Sequence, residues 1–211
     1  EEYDFVKQKL EEQTLSEDDL MDFFGEVKQT IDILSSNIHR GAQLVKSFKQ
    51  VAVDQSSNEN RTINVRNYLD EVVMSLKPKL KKTQHIIDID CASCLNIHVN
   101  AGALSQIVSN LIINSLIHGF VDIDKGHIRM EVYEKNDFIV FKYMDNGVGI
   151  APEALDNLFE PFYTTRRSDG GSGLGTHLIY NLVTGALNGK IKVQSQLGKG
   201  ISFLIKFPNV A

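Results

Sequence analysis

From Leu20 the apolar positions run Leu20, Phe24, Val27, Ile31, Leu34 and Ile38, then Val45, Phe48 and Ala52, with Gly41 breaking the series. Spacings that alternate four and three form a heptad seam, the mark of helices packed nearly parallel with knobs in holes. Ser16 precedes Glu17, Asp18 and Asp19, an S-x-x-D cap that places acidic residues on the positive end of the helix. Residues 1–13 carry Tyr3, Phe5, Val6 and Leu10 and read as the tail of a preceding helix, folded back near residues 14–16 into a helical hairpin. One hairpin cannot bury so long a seam, so a dimeric four-helix bundle is expected. A long helix packed on its own globular domain is the alternative. The polar run DQSSNEN at 54–60 reads as a linker and divides the chain into 1–57, dimerisation helices, and 58–211, a second domain.

Beyond the linker the pattern changes to mixed helix and strand. RTINV reads as a strand and residues 66–77 as a helix; 84–90 and 95–99 alternate like strands, and 102–117 is a strongly apolar helix. Residues 127–134 and 138–143 are two strands joined by the polar turn KND, a hairpin signal. A glycine-rich region, a helix around 174–186 and two closing strands, 190–196 and 201–207, joined by LGKG, complete the domain. Antiparallel strands with helices on one side predict an α+β fold, a two-layer sandwich.

Composition adds bounds. The chain has 211 residues, 42% of them hydrophobic and 23% charged, with a formal net charge of −5. That profile is globular, and the acidic balance argues against nucleic acid as a partner, because phosphate neutralisation needs clustered Lys and Arg. The short basic run KPKLKK reads as a solvated helix end. No run of about 18 apolar residues is present to span a membrane, and no signal peptide is visible. The chain opens at Glu1 without a Met, so an excised piece is expected, any membrane contact being made through absent upstream segments. Cys91 and Cys94 form a C-x-x-C pair without a partner pair for zinc, and reduced cytosolic thiols are expected.

Four segments carry chemistry. In QIVSNLIINSLIHGF, Asn110 and Asn114 share one face of an otherwise oily helix. Buried amides need partners, and an Asn carbonyl oxygen suits a Mg²⁺ ion already carrying phosphate oxygens; capping of nearby backbone is the alternative. In MDNGVGI, Asp145 ends a strand and is followed by Gly147 and Gly149. A carboxylate there can accept from an exocyclic amine such as adenine's while the glycines admit close backbone approach, although the same spacing also makes a plain turn. In LFEPFYTTRRSDGGSGLGTHLI, Gly170, Gly171, Gly173 and Gly175 precede a helix, so free N–H groups can meet phosphates. Arg166 and Arg167 lie within reach of a terminal phosphate, and Pro161 with the glycines suits a mobile lid. Neither the P-loop nor the dinucleotide pattern fits. In GKGISF, Gly198 and Gly200 allow a tight turn.

In this order and spacing the segments resemble the N, G1, F, G2 and G3 boxes of the histidine-kinase ATP-binding domain, within the wider family of gyrase-type and chaperone ATPases. The resemblance covers residues 61–208, and the seam helix is similar to the second helix of the kinase dimerisation domain; hybrid or nitrogen-regulation-type sensor kinases are the nearest in pattern. It implies ATP and Mg²⁺ as cofactors, a homodimer through the N-terminal helices, a response regulator receiver domain as partner and a cytoplasmic location under a possible membrane anchor. It further implies Asn114 as the Mg²⁺ ligand, Asn110 and His118 near the phosphates, and Asp145 with Gly147 and Gly149 on adenine. Phe159 and Phe162 would form the lid hinge, Gly171, Gly173, Leu174 and Gly175 the phosphate cradle, and Arg166 a terminal-phosphate contact. Two departures stand out. Ile117 occupies a position where many relatives have a phosphate-touching Lys, and Thr176 one where Leu or Met is usual.

Relatives that hydrolyse ATP place a Glu one turn before the Mg²⁺-binding Asn; here Asn110 stands there, a poor proton acceptor, which favours a kinase. Family acceptors are a His followed by Glu or Asp on the first dimerisation helix. His39, followed by Arg40 and Gly41, departs from that pattern, so the acceptor is expected outside this chain, which should bind ATP without phosphorylating itself. A regulatory pseudokinase scaffold and a hydrolysing ATPase of the same fold are the competing readings.

Overall fold

A computed structural model describes residues 2–53, 60–81, 83–164 and 173–209, leaving the side chains at 2, 39, 40 and 43–53 undescribed. The chain divides into two compact units, Glu1–Phe48 and Lys49–Ala211. The first holds α1 (Glu2–Glu11), which turns into α2 (Glu17–Val53), a helix whose last residues belong to the second. The cap closes reciprocally: Asp19 N donates to Ser16 Oγ at 3.1 Å, and Ser16 N to Asp19 Oδ2 at 3.0 Å. Lys9 Nζ reaches Asp19 Oδ1 at 2.6 Å, pinning α1 to the start of α2. Along α2 the seam is open: Phe24 is 56% exposed, Ile31 58% and Ile38 70%. The seam positions Val45, Phe48 and Ala52 lie outside the described side chains.

The second unit runs β1 (Asn60–Asn64), α3 (Val65–Ser75), α4 (Lys77–Leu80), β2 (Ile86–Cys91), β3 (Asn96–Asn100), α5 (Ala101–Asn114), β4 (His127–Lys135), β5 (Phe138–Asp145), α6 (Pro152–Leu155), α7 (Gly175–Asn181), β6 (Lys190–Ser195) and β7 (Ile201–Pro208). Asparagines start both long helices: Asn64 Oδ1 accepts from Asn67 N at 3.1 Å, and Asn100 Oδ1 from Ala103 N at 2.9 Å. Between β4 and β5 the turn narrows to Asn136 and Asp137, both left-handed (φ 51° and 60°), the pairing a two-residue hairpin requires.

The expected α+β layering is present, with two corrections. The strands form not one antiparallel set but a five-stranded sheet in the order β2-β4-β5-β7-β6 and a separate β1–β3 pair. The pairing of β2 with β4 is parallel, because the β3–α5 connection carries the chain back across the sheet before β4 begins. Alternate residues Ile128, Met130 and Val132 of β4, Ile139, Phe141 and Tyr143 of β5 and Phe203, Ile205 and Phe207 of β7 are buried with Leu104, Ile107, Val108, Leu111 and Ile112 of α5. The interleaved residues carry charge, with Arg129 and Lys142 paired to Glu131 at 3.0 and 3.5 Å. The helices 102–117 and 174–186 expected from the sequence each end differently: α5 and α7 loosen into single π-helical turns, Ser115–Gly119 and Leu182–Ala186. Among the described residues no helix is long and apolar enough to cross a membrane.

Candidate functional site

The amide face of α5 meets the start of α7. A Cβ built on Gly175 would lie 3.2 Å from Asn114 Oδ1 and 3.6 Å from Asn110 Oδ1. Asn110 Nδ2 donates to Gln106 O at 2.8 Å, one helical turn back, which anchors that amide and leaves its oxygen toward Gly175. Leu174 stands at the head of α7 without a side-chain cap. Gly173 is left-handed (φ 66°) and its backbone lies against Phe162, where a Cβ would come within 2.5 Å of the Phe162 carbonyl carbon. Phe162 is itself left-handed (φ 66°) and 45% exposed. Phe159 packs on the core, its ring 5.4 Å from that of Tyr180, and its carbonyl accepts from His177 Nδ1 at 2.9 Å. Asn181 Nδ2 lies 3.0 Å from His177 Nε2, so both ring nitrogens have a partner. Arg166, Arg167, Gly170 and Gly171, expected near phosphates from the sequence, lie outside the described residues.

Asp145 ends β5 in the interior, 7% exposed. Its Oδ1 accepts from Gly147 N at 3.0 Å and Ile201 N at 3.3 Å, and its Oδ2 accepts from Ser115 Oγ. Gly147 abuts the π-helical turn, for a Cβ there would fall 2.5 Å from Gly119 O. Val148 N donates to Gly119 O at 2.8 Å, and Gly198 N to Val148 O at 2.8 Å, so three chain segments are stitched around the carboxylate. His118 lies in the same π-helical turn, half-buried. Ile117 beside it is 44% exposed. Cys91 and Cys94 are free thiols, and burial pushes the Cys91 thiol up. Among the described residues no three His, Cys, Asp or Glu side chains converge on a metal position.

The family of histidine kinase-, DNA gyrase B-, and HSP90-like ATPases matches residues 99–211. The chain belongs to this family. Its second unit is a histidine-kinase ATPase domain. The autoinducer 2 sensor kinase/phosphatase LuxQ of Vibrio parahaemolyticus is 28% identical over 198 residues, covering 87% of this chain and 22% of that protein. The chain thus spans about a fifth of that relative's length. Full-length ShkA in complex with AMPPNP superposes with a TM-score of 0.66 at 22% identity, covering 87% of this chain and 40% of that one. The histidine kinase AdeS of Acinetobacter baumannii superposes at 0.64 and 19%, covering 99% and 93%. At these identities the structural likeness speaks for the fold.

Three residues of this histidine-kinase domain stand at the Asp145 corner without a signal in the motifs: Ser115, Gly119 and Tyr143. Ser115 is 3% exposed and Tyr143 fully buried, their hydroxyl oxygens 2.7 Å apart. The available signal was a hydroxyl at the polar position after Asn114, and a tyrosine two residues before Asp145, hence on the same face of the strand.

Proposed function

We propose that this chain is the dimerisation and catalytic region of a cytoplasmic two-component sensor kinase, which transfers the γ-phosphate of ATP to a histidine outside these residues and thence to a response regulator receiver domain. The observation that carries this reading is the convergence of Asn110, Asn114 and the start of α7 within a few ångströms, with a buried carboxylate, Asp145, bound from three sides nearby. Adenine's amine would meet Asp145. Asn114 would hold Mg²⁺, which when bound neutralises phosphate charge. His118, Arg166, Gly171, Gly173, Leu174 and Gly175 would line the phosphates, and Phe159 and Phe162 the base of a lid. Asn110 has no basic atom to activate water, so ATP is kept for an external nucleophile.

Four histidines of the catalytic domain are engaged in its own structure. His85 accepts from Gly126 N at 2.8 Å, His98 lies 3.3 Å from Thr62 Oγ1, His127 2.7 Å from Asp88 Oδ2, and His177 is tied to Phe159. That distribution supports an acceptor on another helix. The homodimer would form through the open seam of α2. A regulatory scaffold with little turnover is the second reading, favoured by the apolar, exposed Ile117. The test is to follow label from the γ-phosphate of ATP in this chain alone and mixed with a longer form that carries the acceptor helix. Labelling of the longer form only is expected. Strong self-labelling of this chain contradicts the acceptor assignment, and nucleotide binding without labelling of either favours the scaffold.

A further inference from the structure

Three polar side chains form a line through an otherwise apolar core: Tyr143, Ser115 and Asp145, at 0%, 3% and 7% exposure. The Tyr143 hydroxyl lies 2.7 Å from Ser115 Oγ and 3.1 Å from Leu111 O, and Ser115 Oγ is bonded to Asp145 Oδ2. The direction of each bond follows from proton count. A carboxylate accepts and never donates, so the single Ser115 proton goes to Asp145. Ser115 Oγ can then only accept, and Tyr143 is the donor, sharing its proton with Leu111 O. Burial pushes the Tyr143 hydroxyl well above its usual range, which keeps that proton in place. The other carboxylate oxygen is occupied by Gly147 N and Ile201 N. Oδ2 keeps a second lone pair, and Gly119 lies beside that oxygen, where a Cβ would stand 3.3 Å away.

We infer that Tyr143 and Ser115 are positioning residues that set base selectivity, holding Asp145 as a pure acceptor aimed at a 6-amino group and so against a 6-oxo group. The inference rests on the adenine role proposed for Asp145 and extends it to two residues that touch no ligand. A purine amine gives Oδ2 the donor it lacks; a 6-oxo group brings a second acceptor against a carboxylate with no proton to offer. Sites built to receive a hydrogen bond reject analogues that lack the donor, so the discrimination is strong. Removing Ser115 takes away the hydroxyl that holds Oδ2 and frees the carboxylate to turn, and the distinction between the two bases is lost.

The experiment is calorimetric titration of the chain with ATP and with inosine triphosphate at saturating magnesium. Unaltered protein should prefer ATP by at least about tenfold. Ser115→Ala should weaken ATP by about tenfold and inosine triphosphate by less than about threefold, because the latter never used the aligned oxygen. Tyr143→Phe should move selectivity the same way by about threefold, and Ser115→Thr should restore it. The ratio of the two affinities is the readout, since a partly unfolded preparation scales both titrations alike. Equal weakening of both nucleotides in Ser115→Ala, or full selectivity in both Ser115→Ala and Tyr143→Phe, overturns the inference and leaves the adenine role of Asp145 standing. Absence of ATP binding by the unaltered chain overturns that role and this inference with it.

Discussion

Gly198 and Gly200 occupy the same turn, both left-handed (φ 74° and 80°), but a side chain would meet different surroundings. At Gly198 a Cβ enters open space; at Gly200 it would fall 1.9 Å from Asp145 O. Gly198→Ala should therefore cost about 1 kcal/mol, the left-handed penalty alone, and Gly200→Ala more than about 3, because backbone beside the buried carboxylate must move. Chemical denaturation of the two variants checks the difference. At Asn114 the chemistry is sharper than the sterics: Asn114→Asp puts a negative charge beside Gly175, where phosphates are proposed to lie. It should weaken magnesium-dependent ATP binding by more than about tenfold while leaving unfolding nearly unchanged. Nucleotide titration alongside thermal unfolding separates the two effects.

At the element scale, pH probes two junctions. Lys9, with the Ser16 hydroxyl and N–H, holds the Asp19 carboxyl well below the usual carboxylate range. The folded value is depressed, so the junction of α1 and α2 is favoured above about pH 4, where an unfolded Asp is ionised, and weakens only as pH falls further. The Asp19 carboxyl resonance should stay at its ionised position down to about pH 3; a normal titration near pH 4 contradicts the pinned junction. Just before β2, His85 accepts from Gly126 N and packs tilted against Phe120, ring centres 4.5 Å apart, and burial lowers its pKa. Stability from this contact is present above about pH 6.5 and declines as pH falls below it. His85→Gln should flatten the pH dependence of the midpoint between about pH 7 and 5. The first of these junctions was legible in the sequence and the second was not, because His85 and Gly126 stand 41 residues apart. The cap at Ser16 and the seam of α2 are written in local spacing, and so are the β4–β5 hairpin and the apolar face of α5. The parallel pairing of β2 was not, because alternation marks a strand's faces and not its direction. The π-helical turns were equally hidden, since five residues carry no periodicity distinct from the helix they extend. Ser115 and Tyr143 stand 28 residues apart, and only the fold brings two hydroxyls to one carboxylate.

For the whole molecule, the two units make separable predictions. Replacing Phe24 and Ile31 by Asp should weaken self-association in sedimentation by more than about tenfold, since charge at seam positions is unpaired in the proposed bundle. The same change should leave ATP affinity intact. The catalytic unit carries the central claim, that a buried carboxylate, two amides and a glycine-rich helix start together hold a magnesium-bound purine triphosphate. The direct measurement is a calorimetric titration of the chain and of Asp145→Ala with a non-hydrolysable ATP analogue at saturating magnesium. Saturable binding by the unaltered chain, abolished in Asp145→Ala, is predicted. No binding by the former, or unchanged affinity in the latter, would contradict the account.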